Sequence, residues 1–332
     1  MTGSKKINAF LLSGLAILIF TFLMLFREDF GFSKTRDDSD SKKDPKNTYA
    51  IFATEIPESL SFADEPVPLD QIDIRESLDR EILVNTYWHS QTLLLIKKAN
   101  RFFPVIEPIL KKYGIPSDFK YLTVAESQLM NVVSPADAVG FWQILEGTAK
   151  DYGLEVNNEI DERYHLEKST EFACKFILES YKKYGTWTLA AASYNAGRKG
   201  VDTQVDRQKE TDYYRLLLGD ETGRYIFRVL SFKLILSDPA KYGFHLGTDD
   251  LYPEVPCYEV SIDGSVEDFA DFARRYGISY KILKLHNPWL REAFLTNKQG
   301  KTYYVKIPRD GVINTNSTSR IEEDTLTVQD KI

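Results

Sequence analysis

Apolar residues recur at helical spacing through most of the chain from about Asp70 to Asp238, and runs alternating apolar with polar are absent from that span. The periodicity predicts helices near 72–101, 103–113, 118–129, 145–152, 167–184, 187–195, 210–218 and 221–237. Gly114, Ser134-Pro135, Gly153, Gly185, Gly197 and Asp238-Pro239 punctuate them, as expected of a mainly α domain. After Tyr242 the pattern changes. Tyr258–Ile262 reads as a strand, 266–276 and 280–285 as short helices, and Tyr303–Ile307 as a closing strand before Pro308, a small βααβ module. Ahead of the helices, Ile51–Pro68 mixes prolines with isolated apolar residues and reads as an extended arm on the domain that follows, with a disordered continuation of the linker as the alternative for its first half.

The ends have a different character. Lys5 and Lys6 precede a nearly uninterrupted apolar run, Ala9 to Phe26, close to the roughly 20 residues that cross a bilayer as a helix. Basic flanks stay cytoplasmic, which sends the chain after Arg27 to the far side. Leu25-Phe26-Arg27-Glu28 lacks the small residues of a cleavage site, so the run reads as an uncleaved signal anchor, with cleavage as the alternative. The expected organisation is therefore an anchor at 1–27, a polar linker at 28–50, a helical domain at 51–245, the βααβ module at 246–311 and a disordered tail at 312–332.

Within the helical span one carboxylate stands out. Phe119, Leu122, Ala125 and Leu129 fall on one arc of the 118–129 helix and Lys120, Thr123 and Ser127 on the other, yet Glu126 lies on the apolar arc. A carboxylate there is partly desolvated and faces the negative end of the helix dipole, and both effects raise its pKa. That is the property of a general acid. The ordinary alternative is a glutamate at a helix edge in a salt bridge. Three further stretches carry groups suited to a ligand: Gly140-Phe141-Trp142-Gln143-Ile144, Ser193-Tyr194-Asn195-Ala196-Gly197 and Glu221-Thr222-Gly223-Arg224-Tyr225. Taken singly each also reads as a core helix start, a helix stop or a charged first turn.

Taken together and in order, IPSDFKYLTVAES, SPADAVGFWQI, GTAKDYGL, DERYHLEKST, GTWTLAAASYNAG and ETGRYIFRVL resemble the lytic transglycosylases with an SLT domain of the goose-type lysozyme-like fold. The resemblance covers about Ile115 to Phe244. It implies that Glu126 is the catalytic acid/base, and that Ser127, Ser134, Gln143, Tyr194, Asn195 and Tyr225 bind substrate. Asp137 departs from the family, which usually has a small residue, often glycine, at that place; its carboxylate either raises the pKa of Glu126 or points to solvent. Phe141 stands where the family has leucine. The closing module resembles a degenerate LysM domain on the strength of YEVSIDGSVEDFADFARRYGISYKILKLHNPWL and YYVKIP, with Gly264-Ser265-Val266-Glu267 in place of Gly-Asp-Thr-Leu and an insertion before the last strand. LysM modules bind N-acetylglucosamine-containing glycans, so the module is expected either to bind glycan or to act as a structural cap.

The family implies non-hydrolytic cleavage of peptidoglycan glycan strands outside the cytoplasm, on a domain held to the inner membrane by the N-terminal helix. A hydrolytic muramidase of the same fold, for which Asp137 or Asp151 could supply a second carboxylate across the cleft, and a catalytically silent wall-binding scaffold are the competing readings. The formal charge of -7 lacks the clustered basic face of a nucleic-acid binder. Two cysteines and four scattered histidines do not suggest a metal site, and no cofactor is implied. Cys174 falls on an apolar helical arc and reads as a buried free thiol. Oligomeric state is not legible.

Overall fold

A computed structural model describes residues 51–309. The expected membrane anchor, the linker and the 312–332 tail lie outside these described residues, among which no helix is long and apolar enough to cross a membrane. The chain is mainly helical. Two short strands, β1 (Ser61–Phe62) and β2 (Glu65–Pro66), precede helices α1 (Ile72–Tyr87), α2 (His89–Lys112), α3 (Lys120–Ser127), α4 (Glu146–Asp151), α5 (Leu166–Tyr184), α6 (Trp187–Gln208) and α7 (Asp220–Ser237). The closing module consists of β3 (Cys257–Ile262), α8 (Phe269–Arg275), α9 (Tyr280–His286) and β4 (Tyr303–Pro308). Its two strands pair antiparallel from Cys257↔Pro308 to Ile262↔Tyr303, the βααβ order read from the pattern.

Helix boundaries shift where packing overrides punctuation. The first long helix breaks at Trp88, and the break expected near 102, just before Pro104, is absent: α2 runs unbroken from His89 to Lys112 through Pro104 and Pro108. Each proline forfeits one backbone bond, but Ile106 and Leu110 on the same helix are wholly buried and hold it to the core. The 187–195 helix continues to Gln208 across a kink at Gly197, whose φ of 70° and ψ of 150° break the helical path. The 210–218 helix contracts to a single 3-10 turn, Tyr213–Arg215.

Helix α3 is central. It follows a 3-10 turn at Ser117–Phe119 and packs on α7, as does α1, while α5 packs against both α2 and α6. The arc expected to face solvent is buried as well: Thr123 is 0% and Ser127 3% exposed. Both hydroxyls are satisfied inside the helix, Thr123 by the Lys120 carbonyl at 2.6 Å and Ser127 by the Thr123 carbonyl at 3.0 Å. Back-bonding of this kind lets hydroxyl residues enter a core without an unpaired donor. Cys174 lies in the same core as a free thiol.

From Ile56 to Pro68 the arm packs on these helices. Phe62 is completely buried, its ring 5.2 Å from that of Phe119. Glu65 accepts from the main-chain N–H groups of Trp187 and Thr188 at 2.6 and 2.8 Å, so a carboxylate from the arm neutralises the positive start of α6. Asp118 binds the arm from the other side, accepting from Ala63 N–H at 2.8 Å and from Lys233 Nζ on α7 at 2.7 Å.

This junction generates a prediction. Asp118→Ala strands the buried Ala63 N–H and leaves the Lys233 ammonium with the Ser61 carbonyl but no counter-charge, and is expected to lower stability by about 1–3 kcal/mol. Urea denaturation measures the loss, and limited proteolysis should show earlier cutting within 51–68.

Candidate active site

Glu126 sits in the last turn of α3, which ends abruptly because Gln128 and Leu129 adopt left-handed conformations with φ of 55° and 54°. Buried Phe119, Leu122 and Val124 pin the helix, leaving Ala125 and Glu126 partly exposed along one side. Helix α7 supplies the partner, Tyr225, whose hydroxyl donates to Glu126 Oε1 at 2.6 Å. Tyr225 is itself 1% exposed. Desolvation raises the Glu126 pKa from 4.5 to about 7, and Glu221 pushes the same way, while the Tyr225 hydrogen bond and Arg228 oppose them. Burial is the larger effect, in keeping with the position on the apolar arc.

The chain between α3 and α4 folds over this carboxylate as a compact loop. Val139 bridges to both Val133 and Ile144. Ser134 closes the turn: its Oγ accepts from Ala138 N–H at 3.0 Å, and its carbonyl accepts from Asp137 N–H, also at 3.0 Å. Gly140 has a φ of 83°, and a Cβ there would collide with the carbonyl of Arg163, so no other residue fits without rearrangement. Gln143, with a φ of 47°, directs Nε2 to the carbonyls of Gly140 at 2.8 Å and Val132 at 3.1 Å. Because both neighbours are acceptors, the nitrogen must face them.

Helix α6 brings two more groups. Tyr194 donates from its hydroxyl to the Trp142 carbonyl at 2.8 Å, and its pKa lies well above the usual phenol range through burial and the nearby Glu126. Asn195 accepts from Thr222 Oγ1 at 2.9 Å and donates from Nδ2 to Glu221 Oε1 at 3.3 Å, tying α6 to the start of α7.

The result is a cleft of about 700 Å³ lined by Glu126, Ser134, Gln143, Tyr194, Asn195 and Tyr225 among others. Six of the seven residues singled out in the sequence thus line one cavity. Ser127 does not: its hydroxyl points inward, within 2.9 Å of the Phe141 carbonyl, and joins α3 to the loop. Asp137 is exposed, outside the lining, as is Asp151. The left-handed φ of 59° at Asp137 accounts for a position where glycine is usual, since aspartate tolerates that conformation better than most side chains.

Two charged cleft residues are not among those seven, although Glu221 lies in one of the stretches noted in the sequence. Glu221 and Arg228 line the cavity with Tyr225. Positions 221, 225 and 228 are spaced i, i+4, i+7, one stripe of a helix, and that spacing was the available signal. The Arg228 guanidinium lies 3.8 Å from Glu81, a carboxylate only 2% exposed that also pairs with Arg224 at 2.7 Å. Among the described residues no group of three or more His, Cys, Asp or Glu side chains is gathered as a metal site.

Two parts of the chain match known protein families. Residues 104–217 match the transglycosylase SLT domain, and residues 258–311 match the soluble lytic transglycosylase C-terminal LysM-like domain. Membrane-bound lytic murein transglycosylase D of Escherichia coli strain K12 is 30% identical over 242 residues, covering 71% of this chain and 52% of that protein. The protein of the same name from Escherichia coli O6:H1 matches to the same extent, so the chain spans about half the length of the curated relatives it matches. An inactive mutant of lytic transglycosylase Slt from Pseudomonas aeruginosa is 20% identical, with a TM-score of 0.34 over 46% of this chain and 26% of that one. The chain carries a transglycosylase SLT domain, with Glu126 in its cleft, joined to a LysM-like domain of the soluble lytic transglycosylase type.

Proposed function

We propose that the protein is a peptidoglycan lytic transglycosylase that cleaves the β-1,4 bond between N-acetylmuramic acid and N-acetylglucosamine without consuming water, with Glu126 as its single acid/base. The observation that carries this reading is a carboxyl group with a pKa of about 7, held on a tyrosine hydroxyl in an open cleft. A group that first donates and then accepts a proton works best with a pKa near the working pH. Protonated Glu126 transfers its proton to the glycosidic oxygen, and the bond to the muramic anomeric carbon breaks. The muramic N-acetyl group supports the positive charge that develops there. Ionised Glu126 then takes the proton of the muramic C6 hydroxyl, whose oxygen attacks the anomeric carbon and closes a 1,6-anhydro ring.

Tyr225 serves the middle of this sequence. Its hydrogen bond favours the ionised carboxylate, so it steadies Glu126 between the two proton transfers. Attack within one sugar has the effective concentration that bulk water lacks. Ser134, Gln143, Tyr194 and Asn195 would hold the sugar and its acetamido group, and Ser127 would act from behind by fixing the loop.

Hydrolysis is the closest competitor, because glycoside hydrolases commonly pair two carboxylates. Glu221, not Asp137 or Asp151, is the second acidic residue lining the cleft. Its Oε1 is engaged by the Asn195 amide, which fits a positioning role better than that of a base on water. A silent scaffold would have no use for the raised pKa of Glu126. The substrate places the site in the bacterial envelope, with the 1–27 segment as its inner-membrane anchor.

Mass spectrometry of fragments released from purified peptidoglycan tests the reading, with Glu126→Gln alongside. Anhydro-muropeptides from the native chain and none from the variant are expected. Reducing-end products would make it a hydrolase, and binding with no products from either would make it a scaffold.

The protonation state gives a second prediction. The folded pKa of Glu126 is raised, so its contribution to stability is fully present below about pH 4.5 and is lost as pH rises through about 7. Glu126→Gln removes that loss. The variant should match the native chain at pH 4 and exceed it at pH 8 by on the order of 2–3 kcal/mol, measured by urea denaturation at each pH.

A further inference from the structure

The loop over Glu126 is strained. Gln128, Leu129, Asp137 and Gln143 all have positive φ without being glycine. Such conformations persist where the surroundings over-determine them. Gln128 is held by Gln91 and Lys98, whereas the turn from Asp137 to Ile144 is held from outside the cleft lining by Arg163.

Arg163 is 7% exposed. Its Nε and Nη2 grip both oxygens of Asp161 at 2.9 and 2.7 Å, a two-point pairing that fixes the plane of the guanidinium. Nη1 then reaches the carbonyls of Asp137 and Ile144, each at 3.3 Å. Those two carbonyls bracket the turn that holds Gly140 and Gln143. The carbonyl of Arg163 itself occupies the space a side chain at position 140 would need. One residue therefore holds both ends of the turn and packs against its middle. A lysine could supply only a point charge in place of this fork.

The segment bearing Arg163 is anchored in turn on the C-terminal module. Asp161 N–H donates to the Trp289 carbonyl at 2.9 Å, and Arg291 N–H donates to the Glu159 carbonyl at 2.8 Å. The Arg291 guanidinium lies 4.0 Å from the centre of the Tyr164 ring. The module's apolar core is completed by Val139, Ile160 and Tyr164, the first of which belongs to the catalytic loop. A buried ion pair is weak evidence of stabilisation, so Asp161 and Arg163 are better explained by what they orient than by what they contribute to folding.

We infer that Arg163 is the positioning residue of the catalytic loop, with the LysM-like module as the fixed base from which it sets Gln143 and Ser134 against Glu126. The module then serves catalysis mechanically, whether or not it binds glycan. The kinetic part of this inference rests on the proposed transglycosylase reading; the structural part does not.

The test uses the full chain with Arg163→Gln, Arg163→Lys, Gln143→Ala and the double variant Arg163→Gln/Gln143→Ala, and the module-side variant Leu290→Ala, at a buried residue of the module core that bridges to Ile160. On soluble glycan strands kcat should fall by about 10- to 100-fold in Arg163→Gln, the scale of a misplaced site. KM should stay within about threefold, lysine should not rescue, and the double variant should lose less than the product of the two single losses. Hydrogen exchange should quicken at the Gly140 and Ile144 amides in Arg163→Gln and Leu290→Ala, with the interior of α7 unchanged. Exchange rising equally in α7 would show a merely structural role, and multiplicative losses would show that Arg163 acts independently of Gln143; either overturns the inference. A native chain without lytic products would overturn the proposed function, while the exchange result would still decide whether Arg163 and the module hold the loop.

Discussion

The contact on which the site depends is the hydrogen bond from Tyr225 to Glu126, made between two helices that pack against each other. Two opposed effects meet there. Burial drives the carboxyl toward its neutral form, and the phenol favours the ionised one. Burial wins, but only far enough to leave the group titrating near neutrality. A carboxylate with more partners would remain ionised and could not act as an acid. One with none would hold its proton and could not act as a base.

Around this contact the structure is arranged to limit movement. The N-terminal arm places Glu65 on the start of α6, the helix that carries Tyr194 and Asn195. Asp118 ties that arm to α7, which carries Tyr225. On the opposite side Ser127 joins α3 to the loop, and Arg163 joins the loop to a segment seated on the closing module. Elements far apart in the sequence thus hold each wall of the cleft through polar contacts of defined direction. Directional contacts suit this purpose better than apolar packing, which is insensitive to small rotations.

The helical periodicity was enough to find most helices, the βααβ order of the module and the special placement of Glu126. It misplaced ends wherever the deciding contact was remote. Pro104 and Pro108 are helix breakers locally, yet α2 continues because buried Ile106 and Leu110 hold it in place. Thr123 and Ser127 read as a polar face, yet they lie in the core with their hydroxyls turned back onto the helix. Glu221 and Arg228 could have been found from their spacing to Tyr225. Nothing local marks Arg163, whose partners Asp137 and Ile144 offer only main-chain carbonyls.

The sequence by itself determined the helical class, the βααβ module, the carboxylate to examine and the short motifs that gather around it. These follow from periodicity and residue chemistry, which act over one or two turns of chain. Only the tertiary structure decided that six of the seven candidate residues share a cavity and that Ser127 faces the other way. It also decided that Glu221 is the second acid of the cleft and that Val139, Ile160 and Tyr164 belong to the module's core. Each of those outcomes depends on which segments meet across long stretches of chain, and so on the packing of whole helices, which no local pattern carries.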